Sequence, residues 1–245
     1  GRDRTAVCCL SSLNLEKYDE WKDDPNMIND VMRFLDNVLS DFINKAPEQF
    51  KDAKYSAERE RSVGLGVMGF HSFLQKHRIP LESVMAKAWN KKIFKQIDEQ
   101  VNQASKDLAE ERGACPDAKE YGFEERFSNK TAIAPTASIS IICGGASPGV
   151  EPIAANSYTH KTLSGSFNVR NRYLEEILES HGKNDDETWS TITTNQGSVS
   201  HLDFLTDLEK DVFKTAFELN QKWIIELSGD RTPFISQAQS VNLFL

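Results

Sequence analysis

The sequence predicts an α/β fold in which amphipathic helices alternate with short, buried strands of the parallel type. Segments with apolar residues at helical spacing are separated by short apolar runs. Hydrophobic residues make up 39% of the 245 residues and include 14 Phe, which is enough to fill a sizeable core. No internal repeat or low-complexity linker interrupts the pattern, so we expect one continuous unit over residues 1–245.

The first predicted elements are a strand and a helix. Residues 6–10 form an apolar, strand-like run that contains two adjacent cysteines. A helix follows over residues 26–45, with Asp24 as the expected N-cap and Pro25 at the first helical position. The apolar face of this helix consists of Ile28, Val31, Leu35, Val38, Leu39 and Phe42.

A glycine-containing strand and a long helix come next. The strand is expected over residues 62–67, and the run "GLGVMGF" at residues 64–70 resembles half of a phosphate-binding fingerprint. The third glycine is not in register, so close backbone packing is the better interpretation. The helix is expected over residues 82–112, with Ser83 near its start, Gly113 just past its end, and a stripe formed by Phe94, Ile97, Val101, Ala104 and Leu108.

The segment from Thr131 to Val150 carries no Asp, Glu, Lys or Arg, although 27% of the chain is charged. Its prolines and glycines exclude a membrane-spanning helix. Two short strands are expected inside it, over residues 131–134 and 139–143. The segment is therefore either a buried strand pair or a small-residue loop whose backbone approaches a ligand.

A turn within this segment offers groups that bind anions. Thr136, Ser138 and Ser140 supply hydroxyls, Pro135 constrains the backbone, and Ala137 leaves space for close approach. Such a turn can direct successive N–H groups at an anion. From composition alone, a Ser/Thr-rich turn with purely local hydrogen bonds remains the alternative.

Two more helices and two more strands complete the prediction. The helices are expected over residues 171–182 and 207–227, and the strands over residues 189–193 and 240–244. The chain begins close to a strand and ends on an apolar residue, which predicts that it is cut from a larger protein.

Charge and cysteine usage limit the classes of function. The net charge of −8 argues against binding to nucleic acid. Neither a signal-peptide core nor a membrane span is visible, and Cys8, Cys9, Cys115 and Cys143 show neither a disulfide framework nor zinc spacing. The histidines lack metal-ligand spacing as well, so we expect a cytoplasmic protein without a metal site of its own.

The adjacent cysteines have two interpretations. Cys8 and Cys9 could act in redox chemistry, either through a strained vicinal disulfide or with partners elsewhere. They could also be two small, buried residues of a strand. The residues themselves favour the second interpretation.

Four stretches together resemble the catalytic (large) subunit of ribonucleotide reductase. They are "TAVCCLSSLNL" at residues 5–15, "RSVGLGVMGFHSFLQ" at 61–75, "APTASISIICGGASPGVEP" at 134–152 and "DRTPFISQAQSVNLFL" at 230–245. They occur in the family's order and extend over the whole chain.

The resemblance implies a fold and a place within it. The family has a ten-stranded α/β barrel made of two halves, and residues 1–245 would form its helix-rich second half. The family's finger-loop motif Asn-x-Cys-x-Glu, which carries the radical cysteine, does not occur in this sequence. The N-terminal effector-binding regions and the C-terminal redox tail are also expected outside these residues. The resemblance therefore implies that the chain alone is inactive.

The resemblance also implies residue roles. Cys8 occupies the first position of the family pattern Cys-x-Leu-x-Ser-x-Asn, that of the cysteine that reduces substrate by forming a disulfide, whereas Cys9 occupies a variable position. The substrate diphosphate or triphosphate would be bound at Thr136, Ala137, Ser138, Ile139 and Ser140.

The implied reaction is radical reduction of a ribonucleotide. The radical would come from a small partner subunit with a di-metal site or, alternatively, from adenosylcobalamin. Further implied partners are the remaining part of the large subunit and a reductant of the thioredoxin or glutaredoxin type.

Two functions of other classes are the alternatives. A stand-alone phosphate-binding module would bind nucleotides without any other chain. A helical interaction protein would have no anion site.

Overall fold

The computed structural model describes residues 3–162 and 165–245, and it confirms an α/β fold. Four segments run parallel to one another. Strands β1 (Leu10–Asn14) and β2 (Gly64–Met68) pair in parallel, and single parallel bridges join Leu65 to Thr131 and Ile133 to Gln239. The expected strand at residues 131–134 is thus present as a bridged segment, whereas residues 240–244 form no strand and only Gln239 pairs.

Helices make up most of the regular secondary structure. The helices are α1 (Tyr18–Trp21), α2 (Met27–Lys45), α3 (Lys51–Glu60), α4 (Phe70–Lys76), α5 (Val84–Arg112), α6 (Pro116–Glu120), α7 (Ile139–Ile142), α8 (Arg172–Ser180), α9 (Asp186–Thr194), α10 (Asp207–Val212) and α11 (Gln221–Arg231). An antiparallel hairpin of β3 (Ser157–Thr162) and β4 (Gly165–Arg170) precedes α8.

The two helices with the clearest sequence signals are confirmed, with one change of cap. Helix α5 begins after Ser83, whose side chain accepts a hydrogen bond from the Ala86 N–H, and it ends at Gly113. Asn26 instead of Asp24 occupies the N-cap position of α2, without a capping hydrogen bond from its side chain, so Pro25 stays outside the helix. The Asp24 carboxylate accepts from the Asn26 N–H. Val38 is 41% exposed, so its expected place on the buried face is wrong.

Three further predicted elements differ from the structure. Residues 139–143 form a helical turn instead of a strand, because the Ile142 and Cys143 N–H groups bond to carbonyls four residues earlier. Residues 189–193 lie inside α9. The single helix predicted over residues 207–227 is two helices, since Asn220 caps a new helix and the Ala216 N–H bonds outward to the Ile153 carbonyl.

The glycines of β2 pack against the neighbouring segment. All five residues of this strand are buried. A Cβ on Gly66 would lie 2.3 Å from the Ala132 carbonyl oxygen, and one on Gly64 would lie 2.4 Å from a methyl carbon of Leu10. The interpretation of "GLGVMGF" as close backbone packing is confirmed.

The core has two parts. The larger cluster lies between the parallel segments and helices α2, α4 and α5, and a smaller one is formed by α8, α9 and α10. Amide side chains join them: Gln75 donates to the Val212 carbonyl, and Asn156 donates to the carbonyls of Gly197 and Phe213.

Buried His71 makes the stability of the fold depend on pH. Its Nδ1 accepts from the Ile153 N–H at 3.0 Å, and burial lowers the pKa of His71 from 6.5 to about 3. Below pH 6.5, His71 is therefore protonated in the unfolded chain but stays neutral in the folded chain. The free energy of unfolding decreases as the pH falls below 6.5. Between pH 8 and pH 5, the free energy of unfolding should drop by about 2 kcal/mol through this group.

Urea unfolding at pH 8, 7, 6 and 5 measures this effect. The control is His71→Asn, whose side-chain oxygen can still accept from the Ile153 N–H but does not titrate. The wild-type protein should lose more stability than the variant over this range. Parallel losses in the two proteins would show that His71 is protonated as readily in the folded state as in the unfolded one.

Candidate functional site

The proposed anion turn lies beyond the end of the third parallel segment. Thr136 has a positive φ of 55°, and its Oγ1 accepts from the Gly149 N–H at 2.6 Å. This bond connects the start of the turn to Gly149, in the segment that follows α7. The Ser140 N–H bonds to the Thr136 carbonyl and begins the helical turn α7.

A second set of bonds fixes the turn against α4. Ser72 and Ser147 exchange hydrogen bonds, each hydroxyl accepting from the other residue's N–H at 2.9 to 3.1 Å. The Gly69 N–H donates to the Ser147 carbonyl at 2.7 Å. The turn is therefore anchored to the end of β2 and to the start of α4.

Three successive backbone donors are left free. Within residues 3–162 and 165–245, the N–H groups of Ala137, Ser138 and Ile139 have no hydrogen-bond acceptor. All three residues are exposed, and so is the Ser138 hydroxyl, which has no partner in the described part of the chain. Free N–H groups at the start of a helical turn suit an anion.

The hydroxyls of the turn are not equivalent. The Thr136 hydroxyl is taken up by Gly149, and Ser140 is buried with its hydroxyl 3.3 Å from the Ala137 carbonyl oxygen. Ser138 is thus the residue of this set whose side chain can reach a ligand without breaking a bond. No charged side chain interrupts the turn, so nothing in it repels a polyanion.

The two cysteines lie just before β1, which begins at Leu10 and not at residue 6 as predicted. The Gly64 N–H bonds to the Cys9 carbonyl, so the ladder with β2 reaches Cys9. Cys9 is buried, with its Sγ 3.7 Å from the Leu35 carbonyl oxygen of α2, whereas Cys8 is exposed. Successive residues of an extended chain point to opposite faces, so Cys8 lies on the face away from α2.

The structure groups the residues of the turn, but it does not bring Cys8 into contact with them. Cys8 precedes the first parallel segment, and the turn follows the third.

A cavity beside the turn contains residues that the sequence did not single out. Glu16, Arg172 and Tyr173 line it together with Ala137 and Ser140. Burial and the neighbouring Glu16 carboxylate raise the pKa of Tyr173. Glu16 and Tyr173 are 157 residues apart in the chain, so no local pattern could have paired them.

Comparison with known proteins identifies the family. The family model described as "Ribonucleotide reductase, barrel domain" matches residues 2–125 and 116–245. The chain belongs to the ribonucleotide reductase barrel-domain family.

Relatives of this family cover nearly the whole chain. The ribonucleoside-diphosphate reductase large subunit of Invertebrate iridescent virus 6 is 52% identical over 99% of the chain, which is 25% of that relative's length. The putative large subunit of Frog virus 3 is 43% identical over 99% of the chain and 43% of its own length. The chain thus spans less than half the length of these ribonucleotide reductase relatives.

A solved structure has the same fold. The class Id ribonucleotide reductase alpha subunit of Actinobacillus ureae matches with a TM-score of 0.92 and 40% sequence identity. The match covers 99% of this chain and 45% of the solved one. The resemblance found in the four sequence stretches is confirmed.

The described residues include neither a metal-ligand cluster nor a membrane-spanning helix. Residues 3–162 and 165–245 contain no group of three His, Cys, Asp or Glu side chains placed to hold a metal ion. Within the same ranges, none of the helices combines the length and the apolar character needed to cross a bilayer.

Proposed function

We propose that this chain forms part of the catalytic subunit of ribonucleotide reductase, where residues 1–245 make up the second half of the barrel. The relatives that cover the chain are named large subunits of ribonucleoside-diphosphate reductase. Their name supports a ribonucleoside diphosphate as substrate and a smaller partner subunit. The observation that carries the proposal is the exposed turn with three free N–H groups.

The turn would hold the diphosphate of the substrate. The N–H groups of Ala137, Ser138 and Ile139, with the Ser138 hydroxyl, can donate to phosphate oxygens. Thr136 and Ser140 would act through the backbone, since their hydroxyls are already bonded inside the turn.

Cys8 would supply reducing equivalents at the ribose. The ribonucleotide loses its 2′ oxygen as water, and two thiols lose two electrons and two protons as they form a disulfide. Cys8 is exposed and can meet a second cysteine. Cys9 is buried against α2 and cannot do so without leaving its place.

Radical generation and re-reduction would depend on partners. The radical would come from a di-metal partner subunit, with adenosylcobalamin as the alternative source, and the disulfide would be reduced by a protein of the thioredoxin or glutaredoxin type. We assign no step to a metal held by the residues described here. We place the enzyme in the cytoplasm.

Nucleotide affinity tests the phosphate turn. Ser138→Ala should weaken binding of a ribonucleoside diphosphate to the intact catalytic subunit by about 1 kcal/mol, the size of one hydrogen bond. Ala137→Asp should weaken it more, because it places a negative charge beside the polyanion. Isothermal titration calorimetry measures both changes.

A matched control shows whether the effect of Ala137→Asp depends on where the new negative charge lies. Ile142 is 82% exposed at the other end of the same helical turn, so Ile142→Asp adds the same charge away from the free N–H groups. Its effect on affinity should be smaller than that of Ala137→Asp. If Ala137→Asp left the affinity for the ribonucleoside diphosphate unchanged, the turn would not be the phosphate-binding site. Binding without any reduction by the complete enzyme would favour a simple nucleotide-binding module.

A further inference from the structure

The cavity beside the turn is large enough for a small molecule. Its volume is about 420 Å³, and it lies between α4, α7, the base of the β3–β4 hairpin and the start of α8. This size is within the range of known ligand sites. Much of its wall is small and apolar, as at Ala137, Ile141, Ala146, Pro148, Ile153 and Ala154.

A buried carboxylate with one free oxygen lines this cavity. The Glu16 side chain is 3% exposed, and its Oε1 accepts from the Tyr173 hydroxyl at 2.5 Å. Oε2 accepts no hydrogen bond from residues 3–162 and 165–245. This oxygen therefore keeps its capacity to accept a hydrogen bond from a ligand in the cavity.

A guanidinium stands next to this carboxylate. Arg172 Nη2 donates to the Gly144 carbonyl, which holds the side chain across the cavity wall. Arg172 Nη1 lies 3.7 Å from Glu16 Oε1 and has no acceptor at hydrogen-bond distance in the described part of the chain. The wall therefore presents a free acceptor and a free donor side by side.

The surrounding charges favour a neutral ligand. Glu16 and Arg172 carry opposite charges a short distance apart, so a bare cation or anion would be attracted by one and repelled by the other. Arg170, which also lines the cavity, pairs with Asp186 at 2.7 Å. Lys76 donates to the Glu16 backbone carbonyl, outside the carboxylate.

The amide side chains of the wall are already used. Asn171 donates to the side-chain oxygens of Gln75 and Asn156 at 3.0 and 2.8 Å. Gln75 and Asn156 donate in turn to backbone carbonyls. The Glu16–Arg172 edge keeps both a donor and an acceptor for a ligand.

We propose that this cavity binds a small aromatic ligand whose edge carries a hydrogen-bond donor next to an acceptor, of the chemical class of aromatic primary carboxamides. The amide N–H donates to Glu16 Oε2, the amide oxygen accepts from Arg172 Nη1, and the ring occupies the apolar part. The site goes beyond the proposed function, because neither Cys8 nor the free N–H groups of the turn take part.

Binding of benzamide to the intact protein tests this site. A molecule of this size should bind with a dissociation constant of roughly 1 mM, measured by ligand-observed NMR titration. Benzoate should bind at least about tenfold more weakly, because a second acceptor then faces the Glu16 carboxylate. Glu16→Gln can keep the bond from Tyr173 but turns the free acceptor into a donor, and it should weaken benzamide binding to a similar extent.

Two further variants complete the test. Glu20→Gln changes an exposed carboxylate that bonds to Lys17 and should leave benzamide binding unchanged. Ala154→Phe fills the cavity from an exposed position and should abolish binding even if Glu16→Gln does not fold. The proposal is overturned if benzamide does not bind in the millimolar range, if benzoate binds equally well, or if Ala154→Phe leaves benzamide affinity unchanged.

Discussion

Replacing Cys8 by serine should abolish multiple turnover of the complete ribonucleotide reductase with a dithiol reductant. Serine cannot form the disulfide that we propose delivers two electrons to the substrate. Cys8 is exposed at the start of β1, where another cysteine can reach it. Steady-state formation of deoxyribonucleotide by the purified enzyme measures the loss.

Cys9→Ser is the matched control for this experiment. Cys9 is buried and its Sγ lies 3.7 Å from the Leu35 carbonyl oxygen, so a serine hydroxyl can donate to the same acceptor. This variant should keep its turnover and lose stability by about 1 kcal/mol. Full turnover in Cys8→Ser, or loss of turnover in Cys9→Ser alone, would mean that the reducing role belongs elsewhere.

The second large effect is expected at Asp36, which joins four parts of the fold. Its carboxylate is fully buried and accepts from Arg61, Arg112 and Arg126 at 2.8 to 2.9 Å. Burial alone would raise the pKa of Asp36, but the hydrogen bonds from Arg126 and Arg112 and the charge of Arg61 outweigh it, so the pKa lies below its usual value.

Asp36→Ala should lower the free energy of unfolding by about 3–5 kcal/mol, because it leaves the buried Arg61 and the largely buried Arg126 without their shared counter-charge. Urea unfolding followed by circular dichroism measures this loss. Asp41→Ala on the same helix removes an exposed carboxylate that pairs with Lys45, and it should cost less than about 1 kcal/mol. Equal effects of the two substitutions would show that the Asp36 cluster adds nothing to stability.

Capping residues in the sequence predicted the helix ends that depend only on neighbouring residues. Ser83 and Gly113 mark the ends of α5 because a serine side chain can cap a helix start and a glycine tolerates the positive φ found at its end. Asn171 marks the start of α8 for the same reason. Such caps need no information from distant residues.

Elements that depend on tertiary contacts were predicted less well. Residues 139–143 have the composition of a strand, but none of the strands in the described part of the chain pairs with them, and the turn at Thr136 leads into a helix. The helical spacing from residue 207 to residue 227 hides a break, where the Ala216 N–H bonds to Ile153 on another segment.

In the candidate site, too, local features could be predicted from the sequence and tertiary contacts could not. The turn that we propose to bind phosphate could be singled out because its hydroxyls, its proline and its lack of charge are contiguous in the sequence. The sequence could not show which hydroxyls are used internally, since Thr136 is bonded to Gly149, thirteen residues away. The pairing of Glu16 with Arg172 and Tyr173 requires the folded chain.

A single-turnover experiment tests the central claim most directly. The complete enzyme is mixed with a ribonucleoside diphosphate and no external reductant, and the cysteines are then assigned by alkylation and peptide mass spectrometry. We expect Cys8 in a disulfide with a cysteine outside residues 1–245, in step with the deoxyribonucleotide formed, while Cys9 stays a free thiol. Product formation with Cys8 still free, or a disulfide between Cys8 and Cys9, would contradict the account.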